Sequence, residues 1–394
     1  MTICFETLAD KANCGNMKES FCTLAAQKQG IMLSGAEIDY PTAPVIRRTL
    51  ADFALRGSYG FTLADDPYFE SIQWWMKKTR DYTVNKDEIV PTLGTIFALG
   101  TALRAFTAPG DGIILNHPVY YRFDRMIERC GRRVISNLLL ESNGCYALDF
   151  ADLEEKMAVP CNKMLVLCNP HNPTGKVFSE SDLKKIAALS EKYNVIVFSD
   201  EIFGEVTFVG HAAIPFSEFS PKTALVSTSL GKSFSLTGVN HANVIIKDVT
   251  LREAYQTQRD IDHFGSIDPF FYMALRAGYS QDGYDWVQAM KAHTLANYNL
   301  MCDTFASKMP QLSLSPLEGT YIAWLDCRCL GLHGHELIEF MELNAKLWAD
   351  PGEEYGPGGD GFYRLNIATP RSQIDTMLEN LMGALTAPDK NYGG

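Results

Sequence analysis

The 394-residue sequence predicts an α/β protein with a mostly parallel central sheet covered by helices in a large domain, plus a smaller α/β domain. One observation is the alternation of apolar runs with helical patterns that begins near Asp87. A second is the change after about Pro269, where a long helical stretch precedes shorter strand-like pieces. The length also favours two domains. We expect residues 1–45 to form an N-terminal arm that joins the small domain, residues 46–280 the large domain, and residues 281–394 the small C-terminal domain.

Apolar runs rich in Val, Ile and Leu predict the buried strands of the large domain. These runs are GIILNHP (112–118), KMLVLCNP (163–170), NVIVFSDE (194–201) and TALVSTS (223–229). Helical patterns occupy residues 95–106 and 179–193 between them, and Ser179 with Asp182 at its third following position predicts a helix start. Strands that alternate with helices indicate a mostly parallel sheet with both faces covered.

The C-terminal part has a different pattern of elements. A helical stretch covers roughly residues 268–308 and is followed by two strand-like pieces, GTYIAWLDC (319–327) and GFYRLNIA (361–368). The last helix is predicted over residues 372–385. This succession predicts the smaller α/β domain.

Charge and composition exclude several classes of function. The formal net charge is −12 and the charges are interspersed, which argues against nucleic acid or an anionic membrane surface as a partner. The longest conspicuous uncharged stretch, residues 89–103, is shorter than the roughly 20 apolar residues of a membrane span. The ten cysteines include no Cys-x-x-Cys pair, so we expect free, mostly buried thiols and no metal site. The N-terminus shows no secretory signal pattern, and the expected location is the cytoplasm.

Polar residues gather where three of the predicted strands end. Asn172, Asp200 and Lys232 follow successive apolar runs, so parallel strands would bring them to one crevice. An amine, a carboxylate and an amide are the groups needed to hold a pyridine aldehyde. Taken singly, each has a commoner explanation, namely a surface lysine, a helix-capping aspartate and an Asn-Pro turn. Their order after three apolar runs favours the functional interpretation.

The segments NPHNPTG (169–175), SDEIF (199–203) and STSLGKSF (227–234) resemble the fold-type-I pyridoxal-phosphate (PLP) enzymes of the class I/II aminotransferase family. Within that family the chain looks most similar to the cystathionine β-lyase-like C–S lyases. The segments that carry this closer resemblance are IDYPTAP (38–44), NPHNPTG, GTYIAWLDCRCLGL (319–332) and GFYRLNIATPRS (361–372). The resemblance implies PLP as the cofactor and an amino acid as the substrate.

The resemblance also implies roles for the residues around the cofactor ring. Lys232 would hold PLP as a Schiff base and move protons, and Asp200 would pair with the pyridinium nitrogen. Asn172 would hydrogen-bond the phenolic oxygen and help to bind the substrate. Tyr120, in HPVYYRF, would complete the catalytic set by stacking on the ring, with Tyr121 as its close competitor.

Other matched positions concern the phosphate and the substrate carboxylate. Gly94 and Thr95 open a predicted helix whose amides could bind the phosphate, and Ser229 would add a hydroxyl. Tyr59, in GSYGFT, matches a tyrosine that reaches the phosphate of a neighbouring subunit, so the resemblance implies a homodimer with shared active sites. Arg364, in FYRLN, would bind the substrate α-carboxylate, because a planar guanidinium suits a carboxylate.

Two positions depart from the family pattern. Phe203 stands where many relatives carry tyrosine or histidine, and Asn240 stands where many aminotransferases carry a phosphate-binding arginine. The missing arginine mildly favours the lyase subgroup. Our first hypothesis is therefore a C–S β-lyase that cleaves cystathionine or other cysteine S-conjugates to a thiol, pyruvate and ammonia. The alternatives are an aminotransferase of the same fold and a regulatory or binding protein that retains the fold.

Overall fold

The computed structural model describes residues 4–20 and 30–386. Their strands are β1 (Ile31–Met32), β2 (Ile89–Thr92), β3 (Gly112–His117), β4 (Arg133–Leu138), β5 (Leu140–Ser142), β6 (Cys145–Ala147), β7 (Asn162–Cys168), β8 (Ile196–Asp200), β9 (Ala224–Thr228), β10 (Ala242–Ile245), β11 (Ser313–Leu314), β12 (Ile322–Asp326), β13 (Leu347–Trp348), β14 (Asp350–Pro351) and β15 (Phe362–Asn366). Their α-helices are α1 (Pro44–Ala54), α2 (Asp66–Arg80), α3 (Gly94–Phe106), α4 (Arg122–Arg129), α5 (Phe150–Met157), α6 (Glu180–Tyr193), α7 (Val249–Ile261), α8 (Pro269–Gly278), α9 (Gln281–Lys308), α10 (Gly334–Glu339) and α11 (Arg371–Thr386).

The central sheet has seven strands in the order β2-β10-β9-β8-β7-β3-β4. Strands β4, β3, β7, β8 and β9 pair in parallel, whereas β10 runs antiparallel to both β9 and β2. The four predicted apolar runs are β3, β7, β8 and β9, so the prediction of a mostly parallel sheet in an α/β fold is confirmed. Ser179 caps α6 as predicted, because its Oγ accepts a hydrogen bond from the Asp182 amide at 3.2 Å.

The alternation of side chains along β7 explains why its run is apolar throughout. Leu165 and Leu167 pack into one buried cluster, and Met164 and Val166 pack into another on the opposite face of the sheet. Helices cover both faces, so neither set of side chains reaches solvent. The carboxyl ends of the parallel strands therefore lie at a common edge, and this edge positions the residues that follow β3, β7, β8 and β9.

A separate antiparallel sheet has the order β11-β12-β15-β14, and it is built from residues 313–366. Residues 33–39 run beside it, since Leu33 accepts a hydrogen bond from the Asn366 amide at 2.8 Å and the Asp39 amide donates to Ala368 at 2.9 Å. Strand β1 pairs in parallel with β13. The domain boundaries at residues 45 and 280 stay a prediction.

The structure corrects two expectations. The stretch predicted as one helix over 268–308 is two helices, α8 and α9, and Ser280 caps the second through a hydrogen bond from the Gly283 amide. Nine cysteines lie in the described residues and all are free, but only Cys168 and Cys327 are buried, so the expectation of mostly buried thiols was wrong. The other seven cysteines of the described residues are partly or fully exposed. Within residues 4–20 and 30–386, no helix has the length and apolarity needed to span a membrane.

Candidate active site

A cavity of about 590 Å³ opens at the carboxyl edge of the central sheet. It is lined by Leu93, Gly94, Thr95, Ile96, Phe97, Tyr120, Arg122, Asp200, Ile202, Ser229, Gly231, Lys232, Thr237, Val239, Asn240 and His241. Six residues predicted from the sequence are in this lining, and they come from four separate parts of the chain. Asn172 and Arg364 lie outside the lining but contact each other, and Tyr59 lies elsewhere on the surface.

Lys232 lies four residues beyond the end of β9, and its side chain projects into the cavity. Its Nζ donates a hydrogen bond to the Ala36 carbonyl oxygen at 2.8 Å and lies 5.9 Å from the centre of the Phe203 ring. Burial, helped by the positive charge of Arg364, lowers the pKa of Lys232 to about 8. A much larger fraction of this amine is therefore neutral near pH 7 than of an ordinary lysine, which favours both imine formation and proton abstraction.

The Ala36 carbonyl that binds Lys232 is itself held in place. The buried Tyr321 hydroxyl donates to the same oxygen at 3.1 Å, and the next residue, Glu37, accepts a hydrogen bond from the Asn366 side chain at 2.6 Å. Burial raises the pKa of Tyr321 well above its ordinary value, so the hydroxyl remains a donor. Sequence reasoning quoted the segment that contains Tyr321 but did not select the residue, because its proximity to Lys232 depends on a contact between distant segments.

Asp200 is the last residue of β8 and is buried at the floor of the cavity. Its Oδ1 accepts a hydrogen bond from the Ile202 amide at 3.2 Å, and no other side-chain hydrogen bond to this carboxylate is formed within the described residues. Burial raises the pKa of Asp200 to about 7. The neighbouring Glu201 is fully engaged instead, in a buried ion pair with Arg80. Of the two adjacent acids, Asp200 is therefore the one that can bind a cation in the cavity.

The cavity also carries donors suited to an anion. Helix α3 begins at Gly94, so the amides of its first turn have no intrahelical partner. The Thr95 hydroxyl lies 2.9 Å from the hydroxyl of Ser227, and Ser229 donates to the main-chain oxygen of His241 at 2.8 Å. A helix N-terminus with two adjacent hydroxyls is chemistry that binds phosphate.

His241 lines the same side of the cavity and was not selected from the sequence. Its Nε2 lies 2.9 Å from the Tyr68 hydroxyl, whereas its buried Nδ1 has no hydrogen-bond partner in the described part of the chain. Burial lowers the pKa of His241 to about 3, so the ring is neutral. Asn240 beside it also lines the cavity, in the place where the family pattern has an arginine. The only sequence signal for His241 was its position next to that departure.

Arg364 lies on β15 and is buried. Its Nη1 donates to Asn172 Oδ1 at 3.4 Å, its Nη2 forms an ion pair with Asp350, and its guanidinium carbon lies 5.2 Å from the centre of the Tyr355 ring. Its Nε has no hydrogen-bond partner among the residues that the structure describes, so part of the guanidinium is available to a ligand. Asp350 was not predicted, and its other oxygen accepts from the Ser34 hydroxyl at 2.5 Å.

Two adjacent tyrosines follow β3, and only one of them lines the cavity. Tyr120 is in the lining and Tyr121 is not. The Tyr120 ring packs edge-on against Phe123 with 5.6 Å between ring centres, and burial raises the pKa of its hydroxyl to about 12. Arg122, two positions further along, lines the cavity as well and was missed because arginine at a helix start usually faces solvent.

Tyr59 is about half exposed, in the loop after α1. Its hydroxyl donates to the Ala54 carbonyl at 2.5 Å, and its ring packs against Phe53 and Phe270 with centres 5.6 and 5.0 Å away. The side chain does not line the cavity of its own chain, and its role stays a prediction.

The donor set of the cavity fits PLP. An aldehyde requires an amine of low pKa, a pyridine nitrogen requires a carboxylate, and a phosphate requires amide and hydroxyl donors. Lys232 and Asp200 supply the first two, while Thr95 and Ser229 stand with the α3 N-terminus on the other side. Nothing in the lining replaces these groups with incompatible ones.

Comparisons with known proteins agree with this fit. A family model described as aminotransferase class I and II matches residues 29–381. Cystathionine beta-lyase PatB of Bacillus subtilis (strain 168) is 32% identical over 354 residues, which cover 89% of this chain and 91% of the relative. Protein MalY of Escherichia coli (strain K12) is 30% identical over 355 residues, covering 89% and 90%. The crystal structure of cystalysin from Treponema denticola, which contains PLP, has a TM-score of 0.92 at 31% identity, covering 98% of this chain and 99% of that one.

Proposed function

The chain belongs to the class I and II aminotransferase family, and we propose that within it the protein is a PLP-dependent C–S β-lyase. Its substrates are cystathionine or other cysteine S-conjugates, which it converts to a thiol, pyruvate and ammonia. It has the fold-type-I architecture of this family, and PLP is its cofactor.

The observation that carries the proposal is that Lys232 and Asp200 line one cavity, where the pKa of the amine is lowered and the pKa of the carboxyl group is raised. The amine has a pKa of about 8 and the buried acid a pKa of about 7, so both groups titrate near neutral pH. Perturbed amine and carboxyl groups that share a cleft are typical of active sites. A bound cation beside Asp200 would stabilise its ionised form, which is the form that keeps a ring nitrogen protonated.

Other residues orient the cofactor and the substrate in this proposal. The phosphate is held by the amides of Gly94 and Thr95 and by the hydroxyl of Ser229, next to the uncharged His241. Tyr120 would stack on the ring and Asn172 would hydrogen-bond the phenolic oxygen, while Arg364 would bind the α-carboxylate of the substrate. Together with Lys232 and Asp200, these residues would contact every polar part of the cofactor and the α-carboxylate.

PLP supplies an electron sink for the negative charge that forms at the substrate Cα. The neutral Lys232 amine removes the Cα proton, and the Ala36 carbonyl fixes the amine on one side without occupying its lone pair. The electron pair of the broken C–H bond then forms a Cα=Cβ bond as the C–S bond breaks and the thiolate leaves with its own pair. The Lys232 ammonium returns the proton to the thiolate. Release of 2-aminoacrylate and its hydrolysis give pyruvate and ammonia.

The competing activity is transamination, which uses the same lysine and acid. A relative named as an aminotransferase is 26% identical to this chain, whereas the relatives at 30% and above include one named cystathionine beta-lyase. The absence of an arginine at Asn240 also favours the lyase in this proposal, since many aminotransferases of the family carry one there. The two activities differ in their need for a 2-oxo acid.

Pyruvate release is the test of the proposal. The purified protein with PLP should form pyruvate from cystathionine when no 2-oxo acid is added. Activity that depends strictly on a 2-oxo acid would instead assign an aminotransferase. Borohydride reduction followed by peptide mass mapping should place the cofactor label on Lys232, and a label elsewhere would contradict the assignment of that residue.

We also propose that the enzyme is a homodimer in which Tyr59 reaches the partner's phosphate. An apolar surface around this residue supports the idea, because Leu55, Phe61 and Leu63 are 86%, 99% and 76% exposed. Mixing the inactive variants Lys232→Ala and Tyr59→Ala should restore activity. Random exchange makes half the dimers hybrids, each with one intact site, so about a quarter of the sites should work. Recovery of no activity from subunits that do exchange would contradict shared sites.

A cytoplasmic location completes the proposal. The free cysteines of the described residues support it, because exposed thiols persist in a reducing compartment. Fractionation of the source cells with an antibody to this chain would test the location.

A further inference from the structure

Arg122 differs from the other arginine near the site in having no acidic partner. Arg364 is neutralised by Asp350, whereas no carboxylate of residues 4–20 and 30–386 forms an ion pair with Arg122. Arg122 nevertheless lines the cavity that contains Lys232, and its charge contributes to the lowered pKa of that amine. The cavity therefore presents an unpaired guanidinium to whatever it binds.

Contacts place Arg122 on the side of the site where Arg364 lies. A side-chain hydrogen bond with Tyr121 raises the pKa of Arg122. The Tyr121 ring in turn meets Tyr355 edge-on with 6.3 Å between centres, and Tyr355 lies under the Arg364 guanidinium at 5.2 Å. The phosphate-binding groups at the α3 N-terminus belong to a different set of contacts, with Ser227 and His241. This series of contacts connects Arg122 to Arg364 and not to the phosphate donors.

We propose that Arg122 is a specificity-determining residue that binds a carboxylate carried by the departing thiol. The inference rests on the proposed lyase function and names its substrate class, namely cysteine S-conjugates with an acidic S-substituent. In the proposed function the α-carboxylate is met by Arg364, so a second acidic group needs a second cation, and Arg122 lines the same cavity as the reacting amine of Lys232. A planar guanidinium without a competing acid binds such a carboxylate through two parallel hydrogen bonds.

A matched pair of conjugates tests this assignment. S-(2-carboxyethyl)cysteine and S-propylcysteine differ only in a terminal carboxylate against a methyl group, and pyruvate release reports the cleavage of both. In the holoenzyme the variant Arg122→Gln should lower the ratio of kcat/KM values, acidic over neutral conjugate, by about tenfold, mainly through KM. The size is that of two charge-assisted hydrogen bonds discounted for the exposure of the arginine and for the hydrogen bond that glutamine can still donate.

Arg125→Gln is the control variant. Arg125 lies on the same helix, α4, and its substitution removes the same charge. Its guanidinium carbon lies 4.5 Å from the centre of the Tyr121 ring, and the residue is outside the cavity lining. This control should keep the wild-type ratio. An unchanged ratio in Arg122→Gln, or an equal fall in both variants, overturns the inference.

The amount of bound PLP, measured from its absorbance, tests whether Arg122 binds the phosphate of PLP instead of the substrate carboxylate. If Arg122→Gln loses PLP while the ratio stays constant, the residue binds phosphate and the inference is wrong. If the unaltered enzyme releases pyruvate from neither conjugate and from no cystathionine, the proposed function itself fails. Cleavage with an unchanged ratio overturns only the role of Arg122.

Discussion

Replacing Lys232 with methionine is expected to abolish turnover and to raise the free energy of unfolding of the protein freed of PLP. Methionine has a similar length and no charge, so it fills the same space without the cost of a buried ammonium. The pKa of Lys232 falls from its ordinary 10.5 to about 8 in the folded chain. At 1.36 kcal/mol per pH unit this interval corresponds to at most about 3 kcal/mol, and the lost hydrogen bond to Ala36 reduces the gain.

The pH dependence of the difference gives the prediction its sign. Because the folded-state pKa is depressed, the unfolded chain binds the proton more tightly than the folded one, and the lysine opposes folding most below pH 8. The contribution of the buried ammonium to this advantage should be about 3 kcal/mol at pH 7 and about 2 kcal/mol at pH 9, before the lost hydrogen bond to Ala36 is subtracted. It should vanish above about pH 11, where both states of the lysine are neutral.

Urea unfolding of the PLP-free proteins at pH 7 and pH 9 measures this difference. Lys222→Met, at an exposed lysine before β9, is the matched control, since the same substitution there removes no buried charge. A Lys232→Met protein that is no more stable than the parent at pH 7, or a difference that grows towards pH 9, would refute the reasoning. It would mean that the ammonium remains well solvated in the cavity.

Three further substitutions probe the groups around this lysine. Asp200→Ala should lower kcat by at least about a hundredfold with PLP still bound, and a change confined to KM would contradict its assignment. Tyr321→Phe should lower kcat by about tenfold with KM little changed, because the hydroxyl helps to fix the Ala36 carbonyl; steady-state kinetics that show a KM effect alone would contradict this. Glu201→Ala should destabilise the protein by about 3–5 kcal/mol, since it leaves Arg80 buried without its partner, and an unchanged urea midpoint would argue against that pair.

Local pattern was sufficient for the inner strands of the fold. The runs that became β3, β7, β8 and β9 are apolar on both faces, which only a covered parallel sheet requires. Strands β2 and β10 were missed because they are four residues long and pair antiparallel with each other, and because no α-helix separates β10 from its neighbour β9 in the chain. The break between α8 and α9 was missed because a serine cap inside a helical pattern is a weak signal.

The residues of the candidate site also fall into those that the sequence predicts and those that it does not. Gly94, Tyr120, Asp200 and Lys232 follow strands or open a helix, so sheet topology alone brings them to one edge. Tyr321, Asp350 and His241 act through contacts between segments far apart in the chain, and no periodicity reports such contacts. Arg122 was within reach, because it stands in the motif that contains Tyr120. It was missed because an arginine at a helix start is usually an ordinary surface charge.

Lys232 follows a strand of the seven-stranded sheet, whereas Arg364 lies within the four-stranded one. If Lys232 supplies the reacting amine and Arg364 binds the α-carboxylate, as we propose, the two groups are carried by two separate sheets. The amino group and the carboxylate of an α-amino acid are attached to the same carbon, so one substrate would engage both sheets, whereas a simple amine would engage only the first. Recognition of the carboxylate would then also align the Cα–H bond, and amines without a carboxylate should not be turned over.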